Sequence, residues 1–371
     1  MTTSLLKREF SLRRPRPVKR AAGAGAGRLV GLKIGASQIS AAVVANNGAP
    51  TLLQLAREPL AAGIVVGGEL REPLALAEAL KTFFKTHKLP TSGIRLGIAN
   101  NRIGVRTFEL PEVEPKLLDN AVRFRAQEAL PIPVEEAVLD YHVLDERFGE
   151  SEPRVILVVT YRELVDGFAG ACRGAGLTLA GIDLEAFGLL RALGSSESEG
   201  ESPRSAALVA VAIGHERSTV AVSNGRSCEL TRVIDWGGAN LTAAVGRALG
   251  IPAEQATATK HELSLAASDE AVAGQSDKTR DAVLRELHGF AKQLVSSLHF
   301  YQNQPGALEI GEIVITGGTA ELPGLADELG RLVGASTRVA DPLARVKLAK
   351  KTNTDGPLSS FAVAIGLGIE D

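Results

Sequence analysis

The chain has 371 residues, of which 45% are hydrophobic and 23% charged, and a formal net charge of -2. That is an ordinary globular composition, and the length suggests two or three lobes that need no disulfide or metal staple. Cys172 and Cys228 lie far apart with no histidines at ligand spacing, which argues against a zinc site or a secreted disulfide framework; no apolar run approaches the length of a membrane span. Residues 1–28 carry eight basic side chains and one acid, Glu9, together with Pro15, Pro17 and a run of alanine and glycine over 21–27. Such a segment cannot bury enough apolar area to offset its chain entropy and is expected to be disordered. No apolar region follows the charges as a secretory signal requires. Three readings fit this arm: a solvated tail, attraction to an anionic membrane surface with Leu5, Leu6, Phe10 and Leu12 as a weak anchor, and nonspecific nucleic-acid contact. The rest of the chain holds acids in excess of bases.

Beyond the arm, residues 29–35 predict a short strand ending at Gly35, and 39–44 a second strand. Asn46-Asn47-Gly48 reads as a hairpin turn, and 51–60 completes an antiparallel meander. Residues 72–87 predict a helix from the spacing of Leu74, Leu76, Leu80, Phe83 and Phe84, and 94–99 a strand. A compact insert follows. Its strand at 105–110 leads to a helix over 115–130 stopped by Pro131 and Pro133. Strands are expected at 139–145 and 155–161, a helix over 162–174 ended by Gly174 and Gly176, a strand at 177–182 and a helix at 185–193. The polar, acidic stretch 195–203 reads as a flexible loop. The opening pattern then recurs: a strand over 206–213 ending at Gly214, a strand at 218–222, the turn Ser223-Asn224-Gly225 and a strand at 228–233. Helices over 240–249 and 281–303 follow, then a strand from Ile313 into Gly317 and Gly318, a helix at 325–333 and a closing segment at 361–367.

A glycine between the first two strands of each half lets backbone N–H groups approach a phosphate without a Cβ in the way. Gly35 and Gly214 hold equivalent places, and Gly317 with Gly318 would let a flat base approach the backbone. The repeat suggests a bilobed nucleotide fold.

Three stretches carry a family resemblance. The first is Val105-Arg106-Thr107-Phe108-Glu109-Leu110-Pro111, continued by Glu128-Ala129-Leu130-Pro131-Ile132-Pro133 and Leu139-Asp140-Tyr141. The others are Gly181-Ile182-Asp183-Leu184-Glu185-Ala186-Phe187 and Gly237-Gly238-Ala239-Asn240-Leu241-Thr242. Over roughly residues 29–370 the chain resembles the actin-like ATPase superfamily and, within it, the PilM family of type IV pilus assembly, related to the division protein FtsA. The resemblance implies an α/β, bilobed actin-like ATPase fold (ribonuclease H-like, duplicated) with an inserted small α+β subdomain. It divides the chain into the basic arm (1–28), a first lobe (29–100), the insert (101–182), a first-lobe helix (183–194), a linker (195–205), a second lobe (206–350) and a return to the first lobe (351–371).

What the resemblance implies for function is mixed. Lys33, Gly35, Gly214, Lys260, Gly317 and Gly318 would meet ATP, with Lys260 on a helix that resembles the family's base-binding helix. Glu185 falls at the water-polarising position. The family carries an acid before each turn glycine to hold hydrated Mg²⁺, whereas this chain has Lys33 and Ala212 there. A hard cation wants oxygen ligands, so Mg²⁺ is doubtful, no residue is expected to ligate a metal, and hydrolysis is expected to be weak or absent. Lys33 either touches a phosphate directly or forms a salt bridge. The implied role is a cytoplasmic scaffold, peripheral to the inner membrane, that holds the tail of a PilN-like bitopic membrane protein and contacts other pilus platform proteins. Val105, Arg106, Arg123 and Arg125 are the candidate partner-binding residues, by strand addition at a sheet edge. Nucleic acid is disfavoured, because 4% aromatic content gives no stacking platform. An active nucleotide-dependent switch, an FtsA-like filament protein and a related type II secretion component remain alternatives.

Overall fold

The first predicted strand is β1 (Arg28–Ile34), followed by β2 (Gln38–Ala45) and β3 (Thr51–Pro59). They pair antiparallel in the expected meander. Residues 39–44 are all buried, as a near-continuous apolar run demands of a strand covered on both faces. The computed structural model describes residues 27–109, 117–129, 133–144, 154–194, 206–225, 227–266, 277–350, 352–354 and 356–370. The expected disorder of the basic arm up to residue 26 and the expected loop at 195–205 therefore lie outside the described residues.

A two-residue hairpin joins β4 (Val65–Val66) to β5 (Glu69–Leu70) through Gly67 and Gly68, at φ 56° and 71°. Positive φ at both central positions is what a type I′ turn requires. Helix α1 (Pro73–Thr86) opens on proline, which has no N–H to leave unpaired at that position. It buries Leu76, Leu80, Phe83 and Phe84 but leaves Leu74 84% exposed. Two residues ahead of Leu76, Leu74 falls far round the helix from the buried stripe. Strand β6 (Ser92–Ile98) then lies parallel to β1.

The insert is built from β7 (Gly104–Glu109), α2 (Leu118–Ala129), β8 (Ala137–Val143) and β9 (Arg154–Tyr161). Its three-stranded sheet has the order β7-β9-β8, and Val122 and Ala126 of α2 pack on Val155 and Leu157. It closes earlier than the expected boundary at 182. Helix α3 (Arg162–Gly174) packs on α1, and β10 (Thr178–Leu184) pairs in parallel with β6, so both belong to the first lobe. Helix α4 (Glu185–Leu193) follows directly.

The second lobe repeats the plan with β11 (Ala207–Ile213), β12 (Ser218–Ser223) and β13 (Cys228–Ile234) as its meander. Next come α5 (Gly238–Leu249), α6 (Ala253–Glu262), α7 (Asp277–Gln302), β14 (Ile310–Thr316), α8 (Leu325–Val333) and β15 (Thr337–Val339). Strand β16 (Lys347–Leu348) pairs with β3, so the chain is back on the first sheet ahead of the expected boundary at 351. Helix α9 (Ala362–Gly368) closes the fold.

The first sheet runs β10-β6-β1-β2-β3-β16 and the second β13-β12-β11-β14-β15. Leaving out β16, the two orders match: third strand, second, first, then two parallel additions. Each lobe has its own apolar core. In the second, Trp236 stacks on Phe290 with ring centroids 4.2 Å apart. Helices α4 and α9 join the two, packing Leu189, Val363 and Leu367 against Ala210 and Ala212 of β11. Their backbones meet at Gly188 and Gly366, where a methyl on Gly366 would lie 2.6 Å from the Gly188 carbonyl carbon. Arg191 Nε ties the crossing by donating to the Gly366 carbonyl at 2.9 Å.

Candidate functional site

Each meander begins with a four-residue turn of the same construction. Gly35 N–H donates to the Gln38 carbonyl at 2.9 Å, and Gly214 N–H to the Arg217 carbonyl at 2.9 Å. The two turns face one cleft of about 830 Å³ between the lobes. Its floor comes from the end of β14. Gly317 sits at φ 91°, where a Cβ would be 2.8 Å from the Ile213 carbonyl carbon, while a Cβ on Gly318 would meet nothing within 4 Å. Only glycine brings that strand end so close to β11. The N-terminus of α5 is fastened to the second turn: Gly238 and Ala239 N–H donate to the carbonyls of Gly214 (2.9 Å) and His215 (2.8 Å). Thr319 Oγ1 donates to the Gly214 carbonyl at 3.0 Å.

All six residues expected to meet a nucleotide line this cleft, and so does Glu185. Lys33 Nζ lies 3.1 Å from Glu185 Oε2, their side chains 18% and 8% exposed. The end of β1 thus holds an ion pair across the start of α4. Lys260, on α6, donates to the Gly238 carbonyl at 3.3 Å. Burial lowers the pKa of its ammonium below the usual lysine value. Burial, and then the Lys260 charge, push His215 below the ordinary imidazole value, against a smaller opposing pull from Glu216.

A network not foreseen from the sequence joins the lobes at the cleft's edge. Glu216 accepts the Gly67 N–H at 2.8 Å. Arg217 pairs with Asp235 at 3.0 Å, and its guanidinium lies so close to the Gly67–Gly68 turn that a Cβ on Gly68 would be 2.5 Å from it. Asn101 Nδ2 donates to Asp235 at 2.6 Å, and Asn100 Nδ2 to the Gly68 carbonyl at 3.1 Å. The Gly67-Gly68 pair was the one sequence signal available, since a double glycine between short apolar pairs marks a hairpin. A second cavity of about 360 Å³ lies beside this network, lined by Asn100, Asn101, Ile103 and residues 231–235.

The four expected partner-binding residues are not brought to one face. Val105 packs toward the first-lobe core, while Arg106, on the opposite face of β7, is exposed and donates to the Val105 carbonyl at 3.0 Å. The two-residue strand period forces that split. On α2, Arg123 is half-buried and Arg125 exposed, flanking Phe124, which is 63% exposed. Among the described residues, strand β7 is hydrogen-bonded on one side only, to β9, which leaves the edge that strand addition needs.

Among the described residues there is no group of three or more His, Cys, Asp or Glu side chains suited to a metal ion. No helix among them is long and apolar enough to cross a membrane. Burial pushes the Cys172 thiol up to about 11 and the Cys228 thiol up to about 12, so both remain protonated.

Comparison with known proteins agrees with this geometry. A solved structure of the "PilM-PilN type IV pilus biogenesis complex" is similar at TM-score 0.78 and 27% identity, covering 92% of this chain and 99% of that one. Ethanolamine utilization protein EutJ from Carboxydothermus hydrogenoformans matches at TM-score 0.55 and 16% identity, covering 92% and 89%. MreB5 of Spiroplasma citri bound to AMPPNP matches at TM-score 0.54 and 13% identity, covering 92% and 95%. The fold is the bilobed actin-like ATPase fold. The family described as type IV pilus assembly protein PilM matches residues 31–371, and the chain belongs to that family.

Proposed function

We propose that this protein is a cytoplasmic scaffold of a type IV pilus assembly platform, peripheral to the inner membrane, that holds the cytoplasmic tail of a PilN-like bitopic protein. The observation that carries the reading is the similarity to the PilM-PilN complex over 99% of that chain, together with an edge of β7 that no described strand pairs. An extended peptide bonded along β7 gains main-chain hydrogen bonds there. The basic arm adds attraction to the anionic membrane face on which such a tail emerges. The cleft between the two glycine turns holds ATP without efficient turnover. Phosphoryl transfer depends on positioning and on charge neutralisation by bound cations, and Glu185, which the resemblance puts at the water-polarising position, is committed to Lys33.

Calorimetric titration with a synthetic peptide of the partner's cytoplasmic tail tests the scaffold role. Binding should occur and should be weakened by Thr107→Pro on β7, since proline at the edge disturbs the strand it must offer. A protein that ignores the peptide would refute the reading. Phosphate release from ATP should stay at the buffer rate.

A further inference from the structure

The cationic side chains Lys33, Arg57, Arg217 and Lys260 line the cleft. We infer that it takes a nucleoside di- or triphosphate without a divalent cation, with the Lys33 ammonium standing where a metal would otherwise serve the phosphates. The inference rests on the nucleotide reading given above.

Three observations support it. First, every carboxylate that lines the cleft is already engaged. Glu185 is paired with Lys33, Glu216 accepts the Gly67 N–H at 2.8 Å, and Glu321 accepts the Ser359 N–H at 3.2 Å. Magnesium demands near-octahedral oxygen ligation and is usually held by one or two carboxylates beside the phosphates. Here Glu185 carries an ammonium 3.1 Å away. Second, the two residues that lead into the second turn offer nothing to a cation. Ala212 and Ile213 precede Gly214, both buried and apolar. Third, cations reach the cleft from both lobes: Lys33 from the first and Lys260 from the second. Among the described residues no carboxylate lies within ion-pair distance of Lys260, whose one polar contact is the Gly238 carbonyl. An ammonium without a counter-ion, in a cleft that two glycine turns line, is the chemistry of a polyanion site.

The test is calorimetric titration of the full chain with ATP and with ADP, in excess EDTA and again in excess Mg²⁺. The expected result is binding in EDTA at least as tight as in Mg²⁺. Lys33→Met should weaken the EDTA binding by about tenfold, the value of one charge-assisted hydrogen bond, and Lys33→Arg should retain it. Thermal melts of both variants establish that they fold. Binding that requires Mg²⁺ would overturn the inference and leave the nucleotide reading standing. Binding in neither condition would overturn both. Binding in EDTA that survives Lys33→Met would remove Lys33 from the role.

Discussion

Substituting Gly366 by alanine tests the crossing that joins the lobes. The added methyl would sit 2.6 Å from the Gly188 carbonyl carbon and 3.1 Å from the Ala192 nitrogen. Carbon atoms prefer about 3.5–4.0 Å and the Gly188 carbonyl oxygen would be nearer still, so α4 and α9 must part by at least about 1 Å. Overpacking of that kind costs about 1–3 kcal/mol. Leu189, Val363 and Leu367, buried at the crossing, are each worth about 2 kcal/mol and lose roughly a quarter of their contact energy across such a gap. Alanine's better helix propensity returns up to about 1 kcal/mol. The net expectation is a loss of about 2–4 kcal/mol. Gly289→Ala on α7 is the control, because a Cβ there meets nothing within 4 Å; it should gain about 0.5–1 kcal/mol from propensity and the unfolded chain. Urea unfolding followed by far-UV circular dichroism reads both. A Gly366→Ala protein as stable as wild type, or as stable as Gly289→Ala, would refute the close-approach argument.

Other consequences are as direct. Cys172 and Cys228, with thiols held up at about 11 and about 12, should resist an alkylating reagent in the native state at neutral pH and react at the rate of unfolding; rapid native labelling would contradict their burial. His215, whose imidazole is depressed by burial, takes up its proton more readily in the unfolded chain. Its contribution is therefore intact above the unfolded value of about 6.5 and is lost as pH falls through the depressed folded value. Tm of His215→Gln should fall less than that of wild type on acidification, and parallel curves would dismiss the effect.

The strands and helices were legible where their signal is local. Both meanders, α3, α4 and α8 follow from apolar runs bounded by glycine or asparagine, and the cleft glycines were readable because they end those strands. Leu74 was misplaced because one apolar residue beside a stripe looks like part of it. The insert boundary failed for a different reason. What assigns β10 to the first lobe is parallel pairing with β6, more than 80 residues earlier, and no local pattern encodes a distant partner. Strand β16 is two residues long, and α6 buries only Ala256, so neither has a periodicity to read. Glu216, Arg217 and Asp235 look in sequence like ordinary surface charges, and only the fold puts them opposite Gly67 and Asn101. Val105 and Arg106 were grouped as sequence neighbours, which a strand necessarily turns to opposite sides.

The turn from Gly214 to Arg217 has two duties at once. Its backbone faces the cleft, while its Glu216 and Arg217 side chains grip the first lobe at Gly67 and Gly68, beside Asn100 and Asn101 where the chain enters the insert. A ligand settled on the turn and a peptide laid along β7 therefore lean on the same joint. Thermodynamic linkage makes the bargain symmetrical: by whatever factor cleft occupancy alters the peptide's affinity, the peptide alters the occupant's by the same factor. In the proposed scaffold, an occupant of the cleft would then alter the tail's affinity without any phosphate being cleaved.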